Sequence, residues 1–322
     1  MERTFTTQEV EMNKRKNSLI LVLVSMMCLA LLGNAQSVEG ELFPVDIDIS
    51  LWIGVGPAGV ALAMDYWKGL GLDVNFHVIE DMPANNASWA GGHSDIRELT
   101  VGSFALAAPE YPGICFLQID ASVGGDKIFA TRDIQTLSDM IGKRVSYGLA
   151  SPQQEVILYV LDKEEIELRS IIHEATNDTR LSAQWLERGY VDVAVTWPPW
   201  SLILEDDPRF HVLISTADLE EEILPSGFMA QTKFAEEHPD ILKKFVQGWW
   251  MAIDFMEENF EESLVYMAEF LQMSVDDLRP ALQHELVFYT PERNAEVFGL
   301  NSDRDNDKVP EFHRIFNLFS RL

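Results

Sequence analysis

The chain has 322 residues, 47% hydrophobic and 24% charged, enough for two domains of ordinary size and typical of a globular protein. Its 52 acidic against 24 basic residues leave a formal net charge of −28, which argues against binding nucleic acid or an anionic membrane surface. The acid is scattered in pairs such as Asp206-Asp207, Glu236-Glu237, Glu257-Glu258 and Asp276-Asp277, the pattern of solvated helix faces.

The N-terminus reads as an export signal. Lys14, Arg15 and Lys16 form a basic patch before an apolar run over 19–32, which is shorter than a span of about 20 residues. Gly33 and Ala35 are small residues at the positions a signal protease reads, so cleavage is expected after Ala35 and residues 1–35 leave the mature chain. The residues before Met12 are polar and acidic, which makes Met12 the expected start. Cys28 leaves with the signal, so Cys115 stands alone, unable to form an internal disulfide, and reads as a small buried hydrophobe. A periplasmic, monomeric protein is expected.

From residue 46 strand and helix signals alternate. Strands are expected over 46–53, 72–80, 96–101, 114–119 and 127–131, with helices over 57–68 and 85–91. A second set follows: helix 137–141, strand 143–148, helix 152–163 with Ser151 as N-cap and Pro152 at its first position, strand 170–173, helix 178–188, strand 191–196 and strand 210–215. Residues 239–259 form a long amphipathic helix with Leu242, Phe245, Val246, Trp249, Ile253 and Met256 on one face. This rhythm implies an α/β fold with two doubly wound, mostly parallel sheets. Residues 43–130 plus 225–322 make one lobe and 131–224 the other, joined by two crossing strands near 127–132 and 224–231.

Residues 54–59, G-V-G-P-A-G, fit the dinucleotide pattern between a strand and a helix, and Glu80-Asp81 end the next strand where a ribose-binding acid belongs. Against an oxidoreductase stand the export signal, the missing N–H of Pro57, and the lack of any later acid–base constellation. The same loop, and the start at Ser151, Pro152 and Gln153, each offer helix N–H groups to a small anion, or simply cap a helix. There is no G-x-S-x-G, and the seven histidines show no metal-ligand spacing. No catalytic residue, metal or cofactor is expected. Trp52 and Trp197 end strands of the two blocks, at the edge where α/β sheets hold ligands. Trp197 is followed by Pro198, Pro199 and Trp200, and Trp200 reads as an anchor for the next helix.

These residues resemble, in order and spacing, the periplasmic substrate-binding proteins of ABC importers in the taurine/nitrate/aliphatic-sulfonate class, relatives of thiamine-pyrimidine biosynthesis proteins. The match runs through the glycine loop, Lys68-Gly69, Gly71-Leu72-Asp73-Val74, Gly92, Asp95, S-V-G-G-D from Ser122, Leu137, Gly142-Lys143-Arg144-Val145 and G-Y-V-D from Gly189, ending at Pro199-Trp200. The resemblance implies a two-lobed, type II binding fold that captures a small solute (a sulfonate, a taurine-like or nitrate-like solute, or an amine) and delivers it to a membrane permease. It implies a cleft drawing on Trp52, Pro57, Glu80, Asp81, Thr100, Ser122, Asp126, Ser151, Gln153, Trp197 and Pro198. Glu98 departs from the small or neutral residue usual there and favours an amine-bearing solute over a bare anion. A biosynthetic enzyme on the same fold is the alternative, and it needs a cysteine-rich segment that the lone Cys115 does not supply.

Overall fold

The computed structural model describes residues 41–220 and 222–300. The expected signal segment, its cleavage point, Met12 and Cys28 lie outside the described residues. The chain begins with β1 (Phe43–Ile49), α1 (Pro57–Ala63), α2 (Tyr66–Gly69), β2 (Leu72–Val78), α3 (Met82–Ala90), β3 (Ile96–Thr100), α4 (Val101–Ala107) and β4 (Ile114–Ser122). Next come β5 (Lys127–Thr131), β6 (Arg144–Gly148), α5 (Pro152–Lys163), β7 (Ile172–Thr176), α6 (Arg180–Glu187), β8 (Val193–Thr196), α7 (Leu202–Glu205) and β9 (Phe210–Ser215). The last third holds β10 (Pro225–Ala230), α8 (Thr232–Glu237), α9 (Pro239–Glu258), α10 (Phe260–Leu271), α11 (Val275–His284), β11 (Leu286–Phe288) and α12 (Pro291–Val297).

The expected α/β architecture is borne out, with two mixed sheets. The first has the order β11-β4-β10-β3-β1-β2 and the second β7-β6-β8-β5-β9. Pairing is parallel through β2-β1-β3 and β7-β6-β8, and antiparallel wherever β10, β11, β5 or β9 takes part. The chain leaves the first sheet after Ser122 and returns at Pro225. The sequence reading ran these passages as crossing strands near 127–132 and 224–231. The two passages lie directly before β5 and β10, which are themselves sheet members: β5 is bonded on both sides within the second sheet and β10 on both sides within the first.

Two local departures have clear causes. The expected helix over 57–68 breaks at Asp65, whose φ of +53° is left-handed. The expected strand 96–101 ends one residue early, and residues 101–107 form α4, which the Thr100 hydroxyl caps by accepting from Ser103 N–H at 3.3 Å.

The core sits mainly between the first sheet and the returning helices. In α9 the buried residues Ile241, Leu242, Phe245, Gly248, Trp249, Ala252, Ile253 and Met256 recur at three- and four-residue steps. Trp67 stacks on Phe245 with ring centroids 5.0 Å apart and donates its indole N–H to Phe245 O at 2.9 Å. Gly248 makes room for it: a Cβ there would lie 2.3 Å from Trp67 Cδ1.

Candidate functional site

Strand register brings the candidate residues to one rim. Thr100 ends β3 opposite Ser226 of β10, and Pro225 faces Ala121 next to Ser122 at the end of β4. In the second sheet Lys127 pairs with Thr196, so Asp126 and Trp197 leave adjacent strands at the same edge. Trp52 follows β1. Both sheets thus turn the carboxyl ends of their parallel strands toward one place, where open α/β sheets bind ligands.

A cavity of about 30 Å³ lies there, lined from both sheets. Trp52, Thr100, Ser122, Asp126 and Trp197 are among its walls, so the structure brings these five expected residues together. It does not bring Pro57, Glu80, Asp81, Ser151, Gln153 or Pro198 to the cavity wall. Pro57 is buried at the start of α1. Glu80 lies behind the wall, accepting from Leu51 N–H at 2.7 Å and from the Thr179 hydroxyl at 2.6 Å. Asp81 caps α3 through Ala84 N–H at 2.8 Å. Ser151 is no side-chain cap; its hydroxyl donates to Gly148 O at 2.8 Å. Gln153 cross-links the second sheet, accepting from Gly148 N–H at 2.6 Å and donating to Val195 O at 2.8 Å. Pro198 is buried in the turn after β8.

The site list drawn from the sequence left out Ser50, Met82, Glu98, Leu99, Pro152, Thr179, Leu224 and Ser226, which also line the cavity. Glu98 had a usable signal, since it departs from the small or neutral residue usual there in the family the sequence resembles. Met82 and Pro152 adjoin the expected Asp81, Ser151 and Gln153 in sequence, and the others reach the rim only once strands pair and turns pack.

Hydrogen bonds close the seam around the cavity. Trp197 Nε1 donates to Leu51 O at 3.0 Å, and Met82 N to Asn177 O at 3.0 Å. The hydroxyls of Thr100 and Ser103 both donate to Glu155 Oε1 of α5. Trp52 Nε1 donates to Asp120 Oδ2 at 2.6 Å, and Ser122 and Thr216 share a bond of 2.9 Å.

The acids here are unusual. Burial drives Glu98 well above the ordinary carboxylate value, with Asp120 and Glu80 adding repulsion. Burial pushes Asp120 up to about 7, against the Trp52 indole and the Ser226 hydroxyl. Asp126 rises to about 7 by burial, opposed by Ser122. Glu155 rises to about 8 by burial, opposed by Ser103 and Thr100. Among the described residues no group of three His, Cys, Asp or Glu side chains converges to hold a metal ion.

The glycine loop is filled by the protein itself. A Cβ on Gly54 would lie 1.3 Å from Asp120 Oδ2, and one on Gly59 would lie 2.6 Å from Phe270 Cβ and 2.7 Å from Tyr266 O. Residues 53–61 are buried. These glycines permit close packing, and no open cradle for a pyrophosphate remains. Trp249 is fully buried in the core and Trp200 packs half-buried against it.

Known proteins share this fold. Residues 119–263 match the family model described as NMT1/THI5 like. The taurine-binding periplasmic protein of Escherichia coli (strain K12) is 24% identical over 229 residues, covering 70% of each chain. The alkanesulfonate-binding protein SsuA from Xanthomonas axonopodis pv. citri superposes with a TM-score of 0.66 at 16% identity, over 78% of this chain and 87% of that one. The periplasmic nitrate-binding protein NrtA from Synechocystis PCC 6803 gives 0.61 at 13% identity, over 74% and 69%. The chain therefore has the periplasmic-binding-protein fold, and residues 119–263, from β4 into α10, match the NMT1/THI5-like model.

Proposed function

We propose that this is an extracytoplasmic solute-binding protein that closes its two sheets on a small solute and hands it to an ABC permease. The two sheets then mark two lobes, with the helices after Thr232 belonging to the first. Trp52, Thr100, Ser122, Asp126 and Trp197, joined by Glu98, would meet the solute. The observation that carries this reading is the cavity itself: its walls come from both sheets, with one tryptophan from each. The names of the relatives agree with it, and no step of chemistry is assigned to the site. Among the described residues no helix is long and apolar enough to cross a membrane, so the permease would be a separate partner.

Native mass spectrometry of protein purified from its own source tests the reading. A retained small molecule is the expected result, and adding that molecule back should raise the melting temperature. A ligand at a hundred times its dissociation constant stabilises the folded state by about 2.7 kcal/mol. Turnover of the retained molecule would sink the proposal.

A further inference from the structure

The cavity walls also set the charge of what they hold, an inference that rests on the capture reading above. Glu98 and Asp126 both line the cavity, and both are only 4% exposed. No lysine, arginine or histidine lines it. Among the described residues neither carboxyl forms an ion pair. Glu98 accepts only from Ser50 among the described residues, through a long bond from its hydroxyl at 3.5 Å and through its backbone N–H. Lys127, next to Asp126 in the chain, is committed to Glu205 at 2.9 Å and Glu285 at 2.7 Å.

The side-chain donors of the wall already meet the protein's own acceptors, the Ser122 hydroxyl among them, through Thr216 and Asp126. The Trp52 indole goes to Asp120, the Trp197 indole to Leu51 O, the Thr100 hydroxyl to Glu155 and the Thr179 hydroxyl to Glu80. The Ser226 hydroxyl goes to Asp120 and that of Ser50 to Glu98. What remains turned to the cavity is the carboxyls of Glu98 and Asp126 and the indole rings. A sulfonate or nitrate finds no positive charge there, and is met only by carboxyls held neutral, whose ionisation would repel it. An ammonium brings three donors and no acceptor, and indoles favour a cation over their faces. Among the described residues no three ligating side chains converge there, so the wall offers an ammonium counter-charges rather than a metal a ligand set.

We propose that the solute is a compact organic cation bearing a primary ammonium or an amidinium, with Glu98 and Asp126 as its counter-charges and Trp52 and Trp197 against its apolar part. Burial drives both carboxyls toward their neutral forms without a cation; Asp120 and Glu80 add to this at Glu98, and Glu285, Asp120 and Glu155 face Asp126, where Lys127 and the Ser122 hydroxyl oppose it. A bound cation favours the ionised forms, so binding near pH 7 releases protons and tightens as pH rises. An anion would do the reverse.

Calorimetric titration of the full chain, in two buffers of different ionisation enthalpy, tests this. The probes are ethylammonium, benzylammonium and benzamidinium, set against ethanesulfonate, benzenesulfonate, nitrate and benzyl alcohol. The expected result is that a cationic probe binds with proton release, at least about tenfold tighter than its anionic and neutral counterparts. Glu98→Gln keeps the shape and should weaken the cation at least about tenfold, with the circular dichroism of the free protein unchanged. An anion that binds more tightly than its matched cation, proton uptake on binding, or no binding of any cationic probe at millimolar concentration overturns the charge assignment. The capture reading survives each of those results, since it falls only on the retained-molecule experiment.

Discussion

Glu155 shows at the scale of one residue what burying an acid without a base entails. Its Oε1 takes two hydroxyl donors, while its Oε2 has no partner. Burial raises it to about 8, whereas in the unfolded chain it ionises near 4.3. A raised carboxyl favours the folded state only while neutral, so its contribution is whole below about pH 4 and is lost as pH rises to about 8. Asp120 and Asp126, both at about 7, add in the same direction. The chain should therefore unfold at lower urea at pH 8 than at pH 5. Glu155→Gln keeps the two acceptor bonds without the charge and should recover on the order of 3 kcal/mol at pH 8 and little at pH 5. Equal urea midpoints at the two pH values for the parent protein would contradict this. The sequence pointed to Glu98 because an acid stands where the resembled family carries a small or neutral residue. It was silent on Glu155 and Asp120, which look like ordinary acids until α5 and β4 are packed.

Among the elements, α1 depends on having no side chain where it meets α10. A Cβ on Gly59 would press on the Tyr266 carbonyl and on Phe270, and backbone yields poorly. Gly59→Ala should cost about 1–3 kcal/mol, read as a lower urea midpoint. Gly69→Ala is the matched control: the site is exposed, nothing lies within 4 Å of its Cβ, and the helix of α2 should gain about 0.4–1 kcal/mol. The long helix α9 was legible beforehand because its apolar stripe repeats over five turns, and only Val246 of the expected face stays half-buried. The short α4 was not, because V-G-S-F-A-L-A is apolar without a period and reads equally as strand. The Thr100 cap decided it.

For the whole molecule the decisive quantity is the size of the cavity. About 30 Å³ is room for one or two water molecules, so a solute enters only if the sheets part. The bonds that must break run across the seam and include Trp197 to Leu51, Thr179 to Glu80, Met82 to Asn177, Ser122 to Thr216, Lys127 to Glu285, and Thr100 and Ser103 to Glu155. Small-angle scattering of the solute-free protein should therefore show an open population, and saturating solute should lower the radius of gyration. An unchanged radius would mean that this seam does not open. The charge of −28 acts at the same scale, since a cationic solute is drawn in from a distance and its association should slow as salt screens beyond about 10 Å.

The alternation of β-branched strands with capped helices was enough, in the sequence alone, to fix an α/β fold, because periodicity and capping are local and need no partner. The tryptophans at strand ends were likewise legible, since a strand's carboxyl end is a position along the chain. Which strands neighbour which was not. The pairing of Ser226 with Thr100 and of Lys127 with Thr196 joins residues far apart in sequence. That pairing sets Glu98 and Asp126 into one cavity with no base beside them. Only the tertiary structure decided this, because burial and the spending of hydrogen-bond donors are properties of neighbours in space.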